Sequence, residues 1–109
     1  MFASSPRPFG AALEIASERA SVRLRGELDL ATVTNLVEAL KAAEDSGASQ
    51  LLIDLRDLEF IDSSGVTELL RAKARATDNG HRIQYLWKPG PIEKTLQSMG
   101  VSSLLPLAA

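Results

Sequence analysis

Ser63 and Ser64 are the side chains best placed for chemistry in this chain. They stand in the segment Asp62-Ser63-Ser64-Gly65, which follows a short apolar run and directly precedes a helical pattern. Backbone N–H groups at the start of a helix lack internal partners, and the helix dipole favours negative charge there. A serine hydroxyl at that position can cap the helix, contact an anion or accept a phosphoryl group. The local pattern leaves these three uses open.

Hydrolytic catalysis by these serines is not favoured. His81 is the only histidine, and Asn79-Gly80 before it predicts an exposed turn. A hydrolase of the Ser-His-Asp type carries its serine in Gly-x-Ser-x-Gly, and the sequence lacks that motif. A small enzyme that uses Asp62 and Ser63 remains a separate hypothesis, which requires a pocket with converging polar groups.

Metal and nucleotide chemistry also lack their sequence patterns. Several carboxylates lie between residues 54 and 62, but alternate residues of an extended segment face opposite sides, so we interpret them as solvated residues of a strand end and a turn. The sequence has no Gly-x-x-x-x-Gly-Lys loop and no Gly-x-Gly-x-x-Gly fingerprint. It has no cysteine, which removes thiolate nucleophiles and cysteine-bound metals. We therefore expect no catalytic residue, no metal and no cofactor.

Length and charge limit the class of protein. A chain of 109 residues suits one domain, which we expect over residues 11–109, after a flexible tail over residues 1–10. A formal net charge of -2 predicts no basic stripe for nucleic acid. No run approaches the ~20 apolar residues that span a bilayer, so we expect no membrane insertion. These features predict a soluble, cytoplasmic protein.

Hydrophobic periodicity predicts the elements that lead up to the serines. Alternating runs at residues 12–16 and 22–25 indicate a β-hairpin whose turn lies at residues 18–20. Helical spacing follows over residues 32–46. The aliphatic run at residues 51–55 predicts a central strand that is buried on both faces.

The predicted elements after the serines continue the alternation of helices and strands. A helix begins at the serine motif, a strand follows over residues 82–86, and another helix begins at Pro91. Residues 104–107 form a last short strand or a packed tail. The order β-β-α-β-α-β-α(-β) predicts a single α/β domain, with a mixed sheet of four to five strands and helices packed against it.

Three segments resemble the STAS family, to which the anti-sigma factor antagonists of bacteria belong. The aliphatic run together with Phe60-Ile61-Asp62-Ser63-Ser64-Gly65 is similar to the central signature of the family. Gly26-Glu27-Leu28-Asp29 matches an upstream segment. The third segment resembles the C-terminal helix of the family and the turn after it; in this chain it reads Pro91-x-x-x-x-Leu96-x-x-x-Gly100-Val101-x-x-Leu104. The three segments occur in the family's order and cover roughly residues 10–107.

This resemblance implies a STAS-like fold and a phosphorylation switch. In the family, an anti-sigma factor that is also a serine kinase phosphorylates the first serine of the motif, which corresponds to Ser63. The unphosphorylated domain binds the anti-sigma factor and so frees a sigma factor for transcription. Phosphorylation breaks that contact, and a serine phosphatase resets it. The ATP belongs to the kinase, so the resemblance implies no cofactor and no enzyme activity for this chain.

The resemblance also implies which residues support Ser63. Asp29 lies beside Ser63 and forms an electrostatic frame with Asp62, while Ser64 is a cap or a secondary contact and Gly65 eases the turn. The exposed face of the following helix binds the partner, with Thr67, Glu68 and Arg71 as the expected contacts.

One departure from the family pattern concerns the partner groove, and the other roles of the family give a second hypothesis. Many members continue the motif with Leu-Gly, whereas this chain continues with Val66-Thr67-Glu68, so the partner groove differs. STAS domains also serve in lipid-transport ABC systems and in stress-signalling complexes. The second hypothesis is therefore a constitutive adaptor subunit of such a complex, in which Ser63 acts only as a helix cap.

Overall fold

Four strands and three helices follow one another in the predicted order. The computed structural model describes residues 8–108, so residues 1–7 of the predicted tail and residue 109 lie outside the described residues. Gly10, the last residue of that tail, already pairs with Arg25 in the first strand. The elements are β1 (Gly10–Ala16), β2 (Arg19–Leu28), α1 (Val33–Asp45), β3 (Gln50–Ile61), α2 (Ser63–Asp78), β4 (Arg82–Leu86) and α3 (Pro91–Ser98).

The sheet is mixed, and its helices cover one face. Its strand order is β1-β2-β3-β4, with β1 antiparallel to β2 and the other two pairs parallel. Successive right-handed crossovers in the same direction place α1 and α2 on the same side of such a sheet. Buried residues of all three helices and of the strands form one core cluster. The predicted α/β architecture is confirmed.

Helices cover only one face of strand β3, so the prediction of a strand fully buried on both faces is wrong, although Asp54 on the other face is buried. Leu52 is half-buried, and the pocket beside it is lined by residues of β1, β2 and β3 without any helix residue. The aliphatic run reaches the core through alternate residues, which are Leu51, Ile53 and Leu55. The open face shows that an unbroken aliphatic run does not by itself require two layers of helices.

Asp54 lies on that open face and is neutralised by arginines. Arg56 binds it with Nε at 3.0 Å and Nη2 at 2.9 Å, and Nε of Arg23 lies 3.8 Å from its Oδ2. Burial alone would raise the pKa of Asp54, but the hydrogen bonds and charge of Arg56, helped by Arg23, outweigh it and lower the pKa. The carboxylates of residues 54–62 thus do not converge, and no three potential metal ligands group together in the described part of the chain.

The end of strand β3 differs from the prediction because the local pattern is irregular. Strand β3 continues to Ile61 instead of ending at Leu55, and its register with β2 shifts between Arg23 and Arg25 and again after Gly26. Such bulges interrupt the alternation that marks a strand in sequence.

The hairpin turn is shorter than predicted. Arg19 already pairs with Ala16 across the hairpin, so Ser17 and Glu18 form the loop, and Ser17 has a positive φ of 57°.

The C-terminal segment packs beside β4 instead of forming a fifth strand. Tyr85 and Leu107 form one isolated parallel bridge, and Tyr85 N donates to Pro106 O at 2.7 Å. The buried Tyr85 hydroxyl donates to the Leu69 carbonyl at 2.6 Å, which joins β4 to α2. Among the described helices, none has both the length and the apolar character needed to cross a membrane.

Candidate functional site

Asp62 caps helix α2. Its Oδ1 accepts hydrogen bonds from Ser64 N at 2.9 Å and from Gly65 N at 3.3 Å, and also from the Ser64 hydroxyl. Its backbone is extended, with φ -111° and ψ -174°, as expected of a residue that precedes a helix. Ser64 is therefore a secondary contact within the cap. The interpretation of Ser63 as the helix cap is wrong, because Asp is as strong a cap as Ser and stands one residue earlier.

Ser63 is exposed, and its hydroxyl is free of the cap. It is the first residue of α2, and its Oγ makes no hydrogen bond to any residue that the structure describes. Its backbone carbonyl accepts a hydrogen bond from Thr67 Oγ1 at 2.8 Å, so Ser63 is held by its main chain. A phosphoryl group can therefore be added to this hydroxyl without breaking a bond that stabilises the fold.

Gly65 allows the start of α2 to lie directly against the end of β2. A Cβ atom at Gly65 would lie 2.7 Å from Leu28 Cγ and 3.0 Å from Ile61 Cγ1. Leu28 pairs with Ile61, and Asp62 N donates to Leu28 O at 3.1 Å. The serine motif and the end of the upstream Gly26-Glu27-Leu28-Asp29 segment therefore lie together, as expected.

Asp29 uses its carboxylate within its own loop. Its Oδ1 accepts from Ala31 N at 2.9 Å and from Thr32 N at 3.2 Å, which closes a turn before α1. Thr32 Oγ1 donates to Glu27 O at 2.9 Å and closes the loop from the other side. Asp29 is half-buried and follows Leu28 at the same end of the sheet as Ser63. Its carboxylate shapes the neighbouring loop and does not cap α2.

Asp62 places a fixed negative charge beside Ser63. Burial alone would raise the pKa of Asp62. The hydrogen bond from the Ser64 hydroxyl, together with the backbone N–H groups of Gly65, Ser64 and Leu30, outweighs burial and lowers the pKa. Asp62 is therefore ionised at neutral pH.

The Asp62→Asn variant is expected to be less stable than the wild type at pH 7, by about 0.5–1 kcal/mol. Asn keeps the capping geometry, so the difference isolates the charge. Because the folded pKa of Asp62 is lowered, its contribution is present above the ordinary Asp pKa of about 3.9 and is lost as the pH falls through the folded value. Urea unfolding of both proteins from pH 7 downward should show the difference narrowing below about pH 4. Asp54 is present in both proteins, so its titration cancels in the comparison. A difference in the free energy of unfolding that does not change with pH would contradict the stabilising role of the Asp62 charge.

Comparison with known proteins identifies the family. A family model described as "Mlab, STAS domain" matches residues 11–106. The chain belongs to the STAS-domain family. The match includes every element from β1 to α3 and therefore both segments that meet at Ser63.

Solved structures share the fold of this STAS domain. An anti-sigma factor antagonist from Mycobacterium paratuberculosis is 21% identical, with a TM-score of 0.77 over 96% of this chain and 89% of that chain. The Bacillus cell fate determinant SpoIIAA in its phosphorylated form is 28% identical, with a TM-score of 0.67 over 92% of each chain. The unphosphorylated form of the anti-sigma factor antagonist SpoIIAA is 25% identical, with a TM-score of 0.69 over 90% of this chain and 86% of that chain.

The expected partner face of α2 is only partly exposed in this STAS domain. Thr67 and Arg71 are exposed. Glu68 is buried, with 8% of its surface exposed, and its Oε1 accepts from Arg71 Nη1 at 2.7 Å. Glu68 therefore offers little surface to a partner, and its expected contact stays a prediction. Its polar type suggested the wet face of the helix, but its role in the structure is to hold Arg71.

The geometry argues against hydrolytic chemistry at Ser63. His81 follows the far end of α2, whose 16 residues extend about 24 Å, so it cannot pair with Ser63. His81 is half-buried rather than exposed as predicted, and its Nδ1 is buried without a hydrogen-bond partner among the described residues. One pocket of the described residues lies on the open face of the sheet and another lies beside Leu70 and Leu104, and Ser63 lines neither of them.

Leu30 is a surface residue at this site that the sequence analysis did not single out. It is 77% exposed and directly follows Asp29. The only available signal was a large apolar residue between a predicted strand and a predicted helix, and single exposed apolar residues are common on protein surfaces.

Proposed function

We propose that this STAS domain is an anti-sigma factor antagonist that phosphorylation of Ser63 switches off. The unphosphorylated form binds a kinase-type anti-sigma factor in the cytoplasm and so frees a sigma factor. The domain itself is not an enzyme, and a serine phosphatase restores the active form. The observation that carries the proposal is the exposed hydroxyl of Ser63, which is free because Asp62 caps the helix. The 28% identity with SpoIIAA, whose structure is known in a phosphorylated form, supports regulation by phosphorylation.

The chemistry of the switch is a phosphoryl transfer from ATP bound to the partner. Ser63 Oγ forms a bond to the γ-phosphorus while the bond from that phosphorus to ADP breaks, and the hydroxyl proton passes to a base of the kinase. The product carries about -1.5 to -2 charge at pH 7. Asp62 already occupies the N–H groups of Ser64 and Gly65, so the new charge is not neutralised there. It faces the partner instead.

The partner surface in this proposal surrounds Ser63. Asp29 contributes the shape of the adjacent loop, and α2 contributes Thr67 and Arg71. Arg71 is held by Glu68 and so presents its guanidinium in a restricted position.

Incubation with the cognate anti-sigma kinase and ATP, followed by mass spectrometry, tests the proposal. We expect one phosphate on Ser63 and none on Ser64, whose hydroxyl donates to Asp62. The Ser63→Ala variant serves as the control and should remain unmodified. An unmodified wild-type protein, under conditions in which the kinase autophosphorylates or modifies another substrate, would remove the switch.

A second candidate is a constitutive adaptor subunit of a lipid-transport ABC system or a stress-signalling complex. The description "Mlab" of the matching family model favours this candidate over other adaptor roles. In this role the hydroxyl of Ser63 has no regulatory use, since Asp62 supplies the cap. Purification of the tagged domain from its native cell separates the two functions: an ABC ATPase or permease supports the adaptor, and a kinase-type anti-sigma factor supports the switch.

A further inference from the structure

Leu30 is held out into solvent by a closed loop. With 77% exposure it is the most exposed of the large apolar residues that the structure describes. The Asp29 carboxylate binds Ala31 N and Thr32 N on one side of it, and Thr32 Oγ1 binds Glu27 O across the base of the loop. These hydrogen bonds fix the backbone of the loop that carries Leu30. Little backbone entropy is therefore lost when a partner covers this side chain.

The same loop is joined to the start of α2. Leu28, two residues before Leu30, receives the Asp62 N–H at 3.1 Å and fills the space above Gly65. The backbone N–H of Leu30 is one of the groups that lower the pKa of the Asp62 carboxylate. The exposed Phe60 pairs with Glu27 at this end of the sheet but lies on the face opposite to Ile61 and α2. A partner that covers Ser63 therefore meets Leu30 in the adjoining loop.

We propose that Leu30 is the apolar anchor by which the unphosphorylated domain holds its kinase partner, and that phosphate on Ser63 acts by preventing the burial of Leu30. This inference rests on the proposed function. The partner supplies an apolar pocket for Leu30. A phosphate beside that pocket keeps its hydration shell, because the burial of an unpaired charge is far more costly than the burial of one leucine is favourable. The off-state then requires no change in the fold of the domain.

Binding of single-residue variants to the anti-sigma kinase tests the anchor. Leu30→Ala is expected to weaken binding of the unphosphorylated domain at least fivefold, and Leu30→Asp to abolish it. Ile15→Ala is the matched control, since Ile15 is 52% exposed and lies roughly 26 Å away, opposite Ala20 near the other end of β2. Its affinity should equal that of the wild type. A loss below fivefold for Leu30→Ala would overturn the anchor, whereas a wild type that does not bind would overturn the proposed function itself.

A double-mutant cycle tests the link between the anchor and the switch. If phosphate acts through Leu30, Ser63→Asp should raise the Kd for the kinase much more in the wild type than in the Leu30→Ala background. The fold-change caused by Ser63→Asp should be at least three times smaller when Leu30 has been replaced. Equal factors in the two backgrounds would show that Leu30 and Ser63 act separately and would overturn this part of the inference. Because Leu30 is exposed, its variants should unfold at the wild-type urea concentration, which keeps folding defects apart from binding defects.

Discussion

Ser63→Asp is expected to bind the anti-sigma kinase at least tenfold more weakly than the wild type, whereas Ser63→Ala binds normally and cannot be switched off. The added carboxylate lies beside the ionised Asp62, whose Oδ1 already accepts hydrogen bonds from the N–H groups of Ser64 and Gly65. These two N–H groups therefore do not neutralise it, and a partner that covers it must remove its hydration. Like charges brought together in an interface cost enough to account for a tenfold loss, which corresponds to about 1.4 kcal/mol.

The comparison that isolates charge from size is Ser63→Asn. Asn has nearly the shape of Asp without its charge, so we expect it to bind more tightly than Ser63→Asp. Isothermal titration calorimetry at two salt concentrations measures all three variants, and the effect of Asp should weaken as salt screens the charge. Equal affinities of the Asn and Asp variants would mean that the partner rejects any larger side chain at residue 63. The charge of the phosphate would then not be the cause of the lost binding.

The order of elements followed from periodicity because each element has one apolar side. Helices α1 and α2 bury residues spaced three and four apart, and β4 was bounded correctly at Arg82 and Leu86. The far half of β3 was not predicted, since its bulges against β2 break the alternation. Burial of Leu52 was overestimated because sequence hydrophobicity does not reveal that all three helices pack on one face.

The candidate site was predicted in its location but not in the roles of its residues. The meeting of the Asp29 segment with the serine motif followed from the family resemblance, and the packing of Leu28 against Gly65 gives its physical basis. Which oxygen caps α2 depends on backbone angles at Asp62 that residue types alone do not fix. Whether Glu68 faces solvent depends on a helix rotation of a few tens of degrees, which the polar pattern of α2 does not determine.

Gly65→Ala is expected to lower the free energy of unfolding by about 1–2 kcal/mol, although alanine normally stabilises a helix relative to glycine by about 1 kcal/mol. The added methyl would lie 2.7 Å from Leu28 Cγ and 2.8 Å from Leu28 Cδ2, closer than atoms in contact allow. Leu28 is fully buried and pairs with Ile61, so it has no free space to enter. Either the side chain leaves its rotamer or the first turn of α2 moves away from β2, and both cost energy.

Removal of the Leu28 side chain shows whether its contact with the added methyl group causes this loss of stability. In a Leu28→Ala background the methyl of Gly65→Ala fills vacated space, so the substitution should become neutral or stabilising, with a coupling energy of about 1–2 kcal/mol in urea unfolding. The same destabilisation in both backgrounds would show that the glycine is needed for its backbone and not for the approach of Leu28. If the contact is the cause, Gly65→Ala should also weaken partner binding, because the first turn of α2 carries Ser63 and the end of β2 carries the Leu30 loop.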